Sequence, residues 1–216
     1  VRHRRVRLAI LGAALALSAS AARAQDPPPP APTPEEEPTW EFSTSLYTYF
    51  LRFQPYGQPT ATADRDWLHL EARYNYEDLE TGSLWVGYNF SAGEDLTLEL
   101  TPMIGVVFGE TDGFAPGYRL SLAYGKLELY SEGEYVFDSE DSEADFFYSW
   151  NELTFYFTDW MRAGLVAQRT RAYETELDIQ RGLILGFSVE SASLAFHLFN
   201  PDKDDPLAVV SIAVSF

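Results

Sequence analysis

From Trp40 to Phe216 the chain repeats with a period of two, and this feature constrains the fold more than any other. In "SLWVGYNF", Leu84, Val86, Tyr88 and Phe90 fall on one side of an extended backbone, and Trp85, Gly87 and Asn89 fall on the other. In "DLTLELTPMI", Leu96, Leu98, Leu100 and Ile104 oppose Asp95, Thr97, Glu99 and Thr101. "KLELYSEGEYVF" repeats the pattern: Leu127, Leu129, Tyr135 and Phe137 stand against Glu128, Tyr130, Glu132 and Glu134. An apolar stripe at helical spacing is lacking, and so is an apolar run of the roughly 20 residues that a membrane helix needs. Strands with two different environments on their two faces remain.

The connections alternate in length. Tight ones are expected at 91–95, near Gly125, at 158–160 and near Glu190; longer polar ones at 77–82, 109–117, 137–146, 171–177 and 199–206. Ten strands are plain, near 66–77, 82–90, 95–109, 117–124, 126–137, 146–158, 159–171, 177–189, 191–199 and 206–216. A chain that starts and finishes on the tight-turn side needs an even number, so a strong strand at 40–52 and a weak one at 57–64 bring the total to twelve. The weak strand contains Pro59, which cannot donate to a ladder. If it is a loop, ten strands remain. Eight would leave strand-like segments over, whereas about 15 residues per strand and connection suits twelve.

Charge and cysteine content narrow the setting. Residues 1–24 have the order of a secretory signal peptide: Arg2, Arg4, Arg5 and Arg7, then "LAILGAALAL", then small residues ending in "AARA". Five of the 15 basic residues and none of the 33 acidic ones lie there, so the rest of the chain carries a net charge of -23. Such an acidic surface disfavours nucleic acid, whose phosphates need clustered Lys and Arg. An exported chain without cysteine must fold without disulfides. Residues 25–39, "QDPPPPAPTPEEEPT", form a Pro- and Glu-rich tract with nothing to pack, and are expected to act as a tether in the periplasm, with 40–216 as the single folded domain.

Period two does not say which face is inside. A soluble sandwich or a lipocalin-like barrel would hide its apolar face, and a membrane barrel would turn that face outward. The C-terminal "LAVVSIAVSF" bears on the choice, with Ala208, Val210, Ile212, Val214 and Phe216 in one phase and an aromatic ring as the last side chain. In this respect residues 40–216 resemble small bacterial outer-membrane β-barrels of the porin-like kind. The resemblance implies an all-β, antiparallel, up-and-down transmembrane barrel of about twelve strands. It implies a bacterial outer-membrane location, and a last strand (Val210, Ile212, Val214, Phe216) that the barrel assembly machinery reads. Aromatic residues are expected in two belts: Trp40, Phe42, Phe90, Tyr124, Phe157, Trp160, Phe187 and Phe216 by the tight turns, and Tyr76, Phe108, Tyr135 and Phe137 by the longer loops.

With apolar side chains outward, the lumen would be lined by Glu71, Arg73, Asn75, Glu99, Thr101, Arg119, Glu128, Glu132, Glu134, Glu152, Tyr156, Arg162 and Gln168. Carboxylates outnumber cations there, as expected of a passive channel for cations or small neutral solutes. A braced, non-conducting barrel that works through its acidic loops would have the same lining. His69 and His197 are expected to face inward as structural groups, since no motif singles out Ser193 or another nucleophile, and no enzymatic role or cofactor is expected. Arg169, Arg171 and Arg181 share the outward phase near the longer loops, at the height of lipopolysaccharide phosphates. The acidic loop Asp138 to Asp145 lacks the glycine and terminal glutamate of a calcium-binding EF-hand loop and reads as solvated, without a metal.

Overall fold

A computed structural model describes residues 39–52, 54–172 and 179–216. The expected signal peptide and all of the tether but Thr39 lie outside the described residues. Thirteen strands follow one another: β1 (Glu41–Phe50), β2 (Tyr56–Arg65), β3 (Leu68–Tyr74), β4 (Thr81–Tyr88), β5 (Phe90–Ala92), β6 (Leu96–Gly109) and β7 (Gly113–Tyr124), then β8 (Leu127–Asp138), β9 (Phe146–Thr158), β10 (Met161–Arg169), β11 (Gln180–Val189), β12 (Ala192–Phe199) and β13 (Leu207–Ser215). One 3₁₀ turn, Ser142–Ala144, interrupts the β8–β9 connection.

Each strand pairs antiparallel with its sequence neighbour, and β1 closes the sheet against β13 from Ser43 opposite Ser215 to Phe50 opposite Ala208. β4 and β5 keep one register along β6, with Gly87 opposite Met103 and Phe90 opposite Leu100. They are two halves of one stave, so the barrel has twelve staves. The same register sets Tyr88 opposite Pro102, whose missing N–H accounts for the interruption. Among the described residues every strand but β5 pairs on both sides; the three residues of β5 pair with β6 alone.

The doubtful second strand is real. Leu46 pairs with Pro59 on the β1 side of β2, while the β2–β3 ladder begins only at Thr60 opposite Arg73. Asn75 Nδ2 donates to Gly57 O at 3.0 Å, so odd-numbered β2 residues aim their backbone groups towards β3. Pro59 therefore lacks its donor opposite Tyr74, the last residue of β3, where the β2–β3 ladder has already ended. β7 differs from expectation in the other direction. It starts at Gly113, and the expected loop 109–117 shrinks to three residues, Glu110 to Asp112. Gly109, at φ +128°, takes the tight reversal that a side chain would resist.

Apolar side chains point outward around the whole wall, among them Leu84, Ile104, Leu165 and Ile212, each more than half exposed. The tight-turn rim carries Trp40, Phe42, Trp67, Tyr88, Phe90, Tyr124, Phe157, Trp160 and Phe216. Phe42 and Phe216 exchange backbone hydrogen bonds of 2.9 Å and stack at 6.2 Å, which ties the last residue to the first strand. Tyr76 does not join the opposite belt. Asn75, at φ +55°, ends β3 and resets the phase, so that Tyr76 turns inward and is buried.

Candidate functional site

The inward faces of the staves enclose a lumen whose two halves differ. Near the tight-turn rim the lining is small: Ser43 and Ser45 from β1, Ser121 and Ala123 from β7, Ser188 from β11, Ser193 from β12 and Ala213 from β13, all partly exposed. Near the loop rim it is bulky and closed. Tyr49, Trp85, Val136, Tyr148, Trp150, Phe199 and Val209 are buried there although they face the centre of the barrel. We call these regions the cup and the plug.

The plug has an ionic core around Arg73 of β3. Its Nε donates to Glu71 Oε1 and its Nη1 to Glu134 Oε2, both at 2.6 Å, and Nη1 lies 3.8 Å from Glu77 Oε1. The guanidinium also lies over the rings of Tyr76 at 4.2 Å and Trp85 at 4.5 Å. Trp85 can lie flat because the wall beneath it is glycine: a Cβ on Gly105 would sit 2.4 Å from the indole, and one on Gly117 3.1 Å away. Tyr76 donates to Glu132 of β8 in a very short contact, and Tyr130 donates to the same carboxylate at 2.5 Å. The contacts of Arg73 and Tyr76 with β8 span staves four apart across the lumen, so they fill it rather than line it.

A second cluster lies beside the first. Glu152 of β9 accepts from Trp150 Nε1 at 3.0 Å, His197 Nε2 at 3.1 Å and Arg162 Nη1 at 2.9 Å. Arg162 lies along the β11 wall, where a Cβ on Gly186 would come within 2.9 Å of its Nε. Trp150 meets Tyr47, His197 and Phe199 edge-on at 5.0 to 5.5 Å. Above it, Tyr49 donates to Gln168 at 3.3 Å, and Gln168 donates to Gln180 at 2.9 Å.

A guanidinium also crosses the mouth. Arg171, just beyond β10, sits 3.3 Å from Asp78 in the β3–β4 connection, donates to Ala144 O at 2.7 Å in the β8–β9 connection, and lies over Phe146. β3 and β10 are diametrically opposed in the ring of staves. Asp78 also accepts from Thr111 of the β6–β7 turn at 3.4 Å. Four connections thus meet at one ionic contact.

The structure sorts the residues expected in the lumen. Glu71, Arg73, Glu134, Glu152 and Gln168 lie in the plug or at its base, all buried. Arg119 bridges plug and cup, reaching Glu71 Oε2 and the Tyr130 hydroxyl at 3.4 Å each. Glu132 and Arg162 are half-buried between the regions. Glu99, Thr101 and Glu128 belong to the cup; Glu99 is exposed, and Glu128 accepts from Tyr156 at 2.7 Å. Asn75 is a correction: past the end of β3, it caps the turn by accepting from Glu80 N at 2.8 Å and does not line the lumen. Arg171 is another, because once β10 has ended its side chain turns across the mouth instead of outward. Arg181 does point outward, paired with Asp202 at 2.8 Å, and Arg169 is half-buried at the end of β10.

His69 sits between Asp64 Oδ1 at 2.7 Å and Glu71 Oε2 at 2.9 Å, and only its imidazolium form can donate to both. Ser193 and His197 share a face of β12 but stand about 13 Å apart along the strand, beyond hydrogen-bond reach. Sequence reasoning missed Glu77, Ser83, Trp85, Tyr148 and Trp150. Trp85, Tyr148 and Trp150 stood in the phase of the polar face, and that was the signal for an aromatic plug. In the loop Asp138 to Asp145, Asp138 accepts from the backbone N–H of Glu140 and Asp141, and Asp141 accepts from that of Glu143. These carboxylates cap the loop's own turns.

The structural comparisons find the same kind of fold, a closed up-and-down barrel, in known porins. The KdgM porin superposes with a TM-score of 0.55 at 10% identity, covering 81% of this chain and 99% of that one. A second structure, the KdgM porin in complex with disordered oligogalacturonate, gives 0.51 at 10% identity with the same coverage. No family model matches the chain, and no curated protein matches its sequence. The likeness is one of fold.

Proposed function

We propose that the chain is an outer-membrane channel of porin type: narrow, plugged at its outer end, and passing small cations or neutral solutes in preference to anions. The apolar outer wall, its aromatic rim and the closure of the sheet support a bilayer setting, where backbone groups have no water to bond. The tight turns then face the periplasm and the loops face outward. The expected signal peptide at 1–24 and tether at 25–39 fit that direction, and Val210, Ile212, Val214 and Phe216 would serve as the assembly signal. Arg169 and Arg181 remain at the height of lipopolysaccharide phosphates, where guanidinium groups are suited to bind.

One observation carries the selectivity: the lumen guanidinium groups of Arg73, Arg119 and Arg162 are each bonded to a carboxylate, while Glu99, Glu128 and Glu132 form no ion pair with a guanidinium among the described residues. A wet acidic cup between low-dielectric walls concentrates cations and repels anions. Oligogalacturonate, the polyanion in one KdgM structure, is therefore expected to be a poor substrate here. Planar-bilayer recording under a salt gradient tests the reading: a small conductance whose reversal potential follows the cation gradient is expected, and anion preference would refute it.

A second reading, a non-conducting brace whose acidic loops hold a partner, draws support from the buried aromatic layer of Tyr49, Tyr148 and Trp150. Absence of conductance in both the natural chain and a variant with the plug loosened would favour it. Loop deletion would then change attachment or envelope integrity and leave permeability unchanged.

A further inference from the structure

Two oxygens in the plug stand out. Glu77 Oε2 and Glu134 Oε1 are buried and receive no hydrogen bond, although the other oxygen of each carboxyl is well partnered: Glu77 Oε1 accepts from Ser83 at 2.5 Å and Glu134 Oε2 from Arg73 at 2.6 Å. The two groups come from different parts of the sheet, the β3–β4 connection and β8, and they flank a single nitrogen, Arg73 Nη1.

The surrounding charges do not balance them. From β3 come Arg73 and Glu71, and Glu71 already occupies Arg73 Nε. Arg119 of β7 and His69 of β3 approach Glu71, and His69 is shared with Asp64 of β2. β8 adds Glu132, held by the hydroxyls of Tyr76 and Tyr130, and β9 adds the phenol of Tyr148 packed on Tyr76. β4 and β6 contribute Ser83, Trp85 and Met103, none of which carries charge. One guanidinium thus faces three buried carboxyl groups. Buried charge without a counter-ion is expelled by neutralisation, and two carboxylates sharing one site do so by keeping a proton between them.

We propose that Glu77 and Glu134 form a proton-binding site that holds the plug closed, with one proton on the pair when the lumen is shut. The proton comes from solvent onto a carboxylate oxygen, supplies the donor that the unpartnered oxygens lack, and returns to solvent when the plug opens and water reaches both groups. Arg73 stays charged throughout. The gating half of this proposal rests on the channel reading above; the proton site itself does not.

The sign follows from the proton count. The closed state binds one more proton than the open state, so closure is favoured as pH falls and lost as pH rises. The open-to-closed ratio changes by up to about tenfold per pH unit across the window where the site titrates. Glu77→Gln keeps the shape and the Ser83 contact while making the group permanently neutral.

The experiment has two arms on the full folded barrel, its fold checked by heat-modifiable gel mobility. Infrared spectra of the natural chain in heavy water should show the carbonyl stretch of a buried protonated carboxyl, which disappears at alkaline pH and in both Glu77→Gln and Glu134→Gln. Bilayer recordings should show open probability rising with pH in the natural chain and flat in Glu77→Gln. A spectrum with no such band at neutral pH, or a band that both variants retain, overturns the proton site. A band that behaves as expected in a protein silent at every pH keeps the site and removes the channel reading. A pH response unchanged in Glu77→Gln overturns the gating role.

Discussion

The cup and the plug are built from the same twelve staves, and they differ in what each stave places inward. Along β1 the inward residues run Ser43, Ser45, Tyr47, Tyr49, growing from rim to rim. Along β12 they run Ser193, Ala195, His197, Phe199, and along β13 they fall from Leu207 and Val209 to Ser211 and Ala213. Backbone geometry sets the bore of a barrel, so side-chain volume decides where that bore stays open. In the plug, volume and charge act together: aromatic rings remove water, and removal of water makes the ionic contacts of Arg73 obligatory. In the cup, small hydroxyl side chains leave room for water, and single carboxylates such as Glu99 can stand without a partner. A charge substitution should therefore cost stability in one half and alter selectivity in the other.

Arg73→Met gives the largest expected effect. It strands Glu134 and Glu77 in a dry site, while Glu71 keeps His69 and Arg119, and breaking a buried ion pair from one side typically costs about 3–5 kcal/mol. The midpoint of urea unfolding in lipid vesicles should fall strongly, or the barrel should refold only at low pH, where the carboxyl groups are neutral. An unchanged midpoint would mean that the plug is wetter than its burial indicates, and the contrast between the halves would be lost. Trp150→Ala comes next. Loss of a large buried ring costs about 3–5 kcal/mol in a closed core, less here if water from the cup enters the space, and conductance should rise as stability falls.

Arg171→Ala separates closure from stability. Its pair with Asp78 is partly exposed, and pairs of that kind are worth about 0–1 kcal/mol. Yet it joins opposite staves and four connections, so its removal should raise conductance and admit a charged thiol reagent to a cysteine placed at Ser83, with almost no change in the unfolding midpoint. If Arg171→Ala leaves both readouts unmoved, the closure resides wholly in the layer below.

The sequence showed the barrel more fully than it showed the plug. Alternation in "SLWVGYNF" or "KLELYSEGEYVF" assigns each residue to a face without knowledge of its neighbours, and so the staves and the inward phase of Glu71, Arg73, Glu134 and Glu152 were legible. Pro59 obscured one stave, because whether its absent N–H matters depends on where the β2–β3 ladder stops. Asn75, Tyr76 and Arg171 were misplaced for a common reason: each follows the end of a strand, where a residue such as Asn75 with positive φ resets the phase that period two propagates. Contacts across the lumen, such as Arg73 with Glu134 or Arg171 with Asp78, depend on closure and stave order and leave no local trace. Glu77 sits in a connection, where an acidic residue reads as solvated.

The smallest expected effect tests the cup. Glu99 lies inward on β6 opposite Ser121 of β7, exposed, and Arg119, two residues along β7, turns to Glu71 and the Tyr130 hydroxyl. Substitution at such a position changes stability by no more than about 0.5 kcal/mol, so Glu99→Gln should unfold at the midpoint of the natural chain. Its charge acts on ions in the cup, where water and salt screen it over a Debye length of about 8–10 Å. The reversal potential in a salt gradient should therefore move modestly towards zero at low ionic strength and hardly at all at high ionic strength. A salt-independent shift would point to a changed shape of the cup instead of a lost charge. A loss of stability would show that Glu99 is braced as the plug residues are, and that the barrel is closed along its whole length.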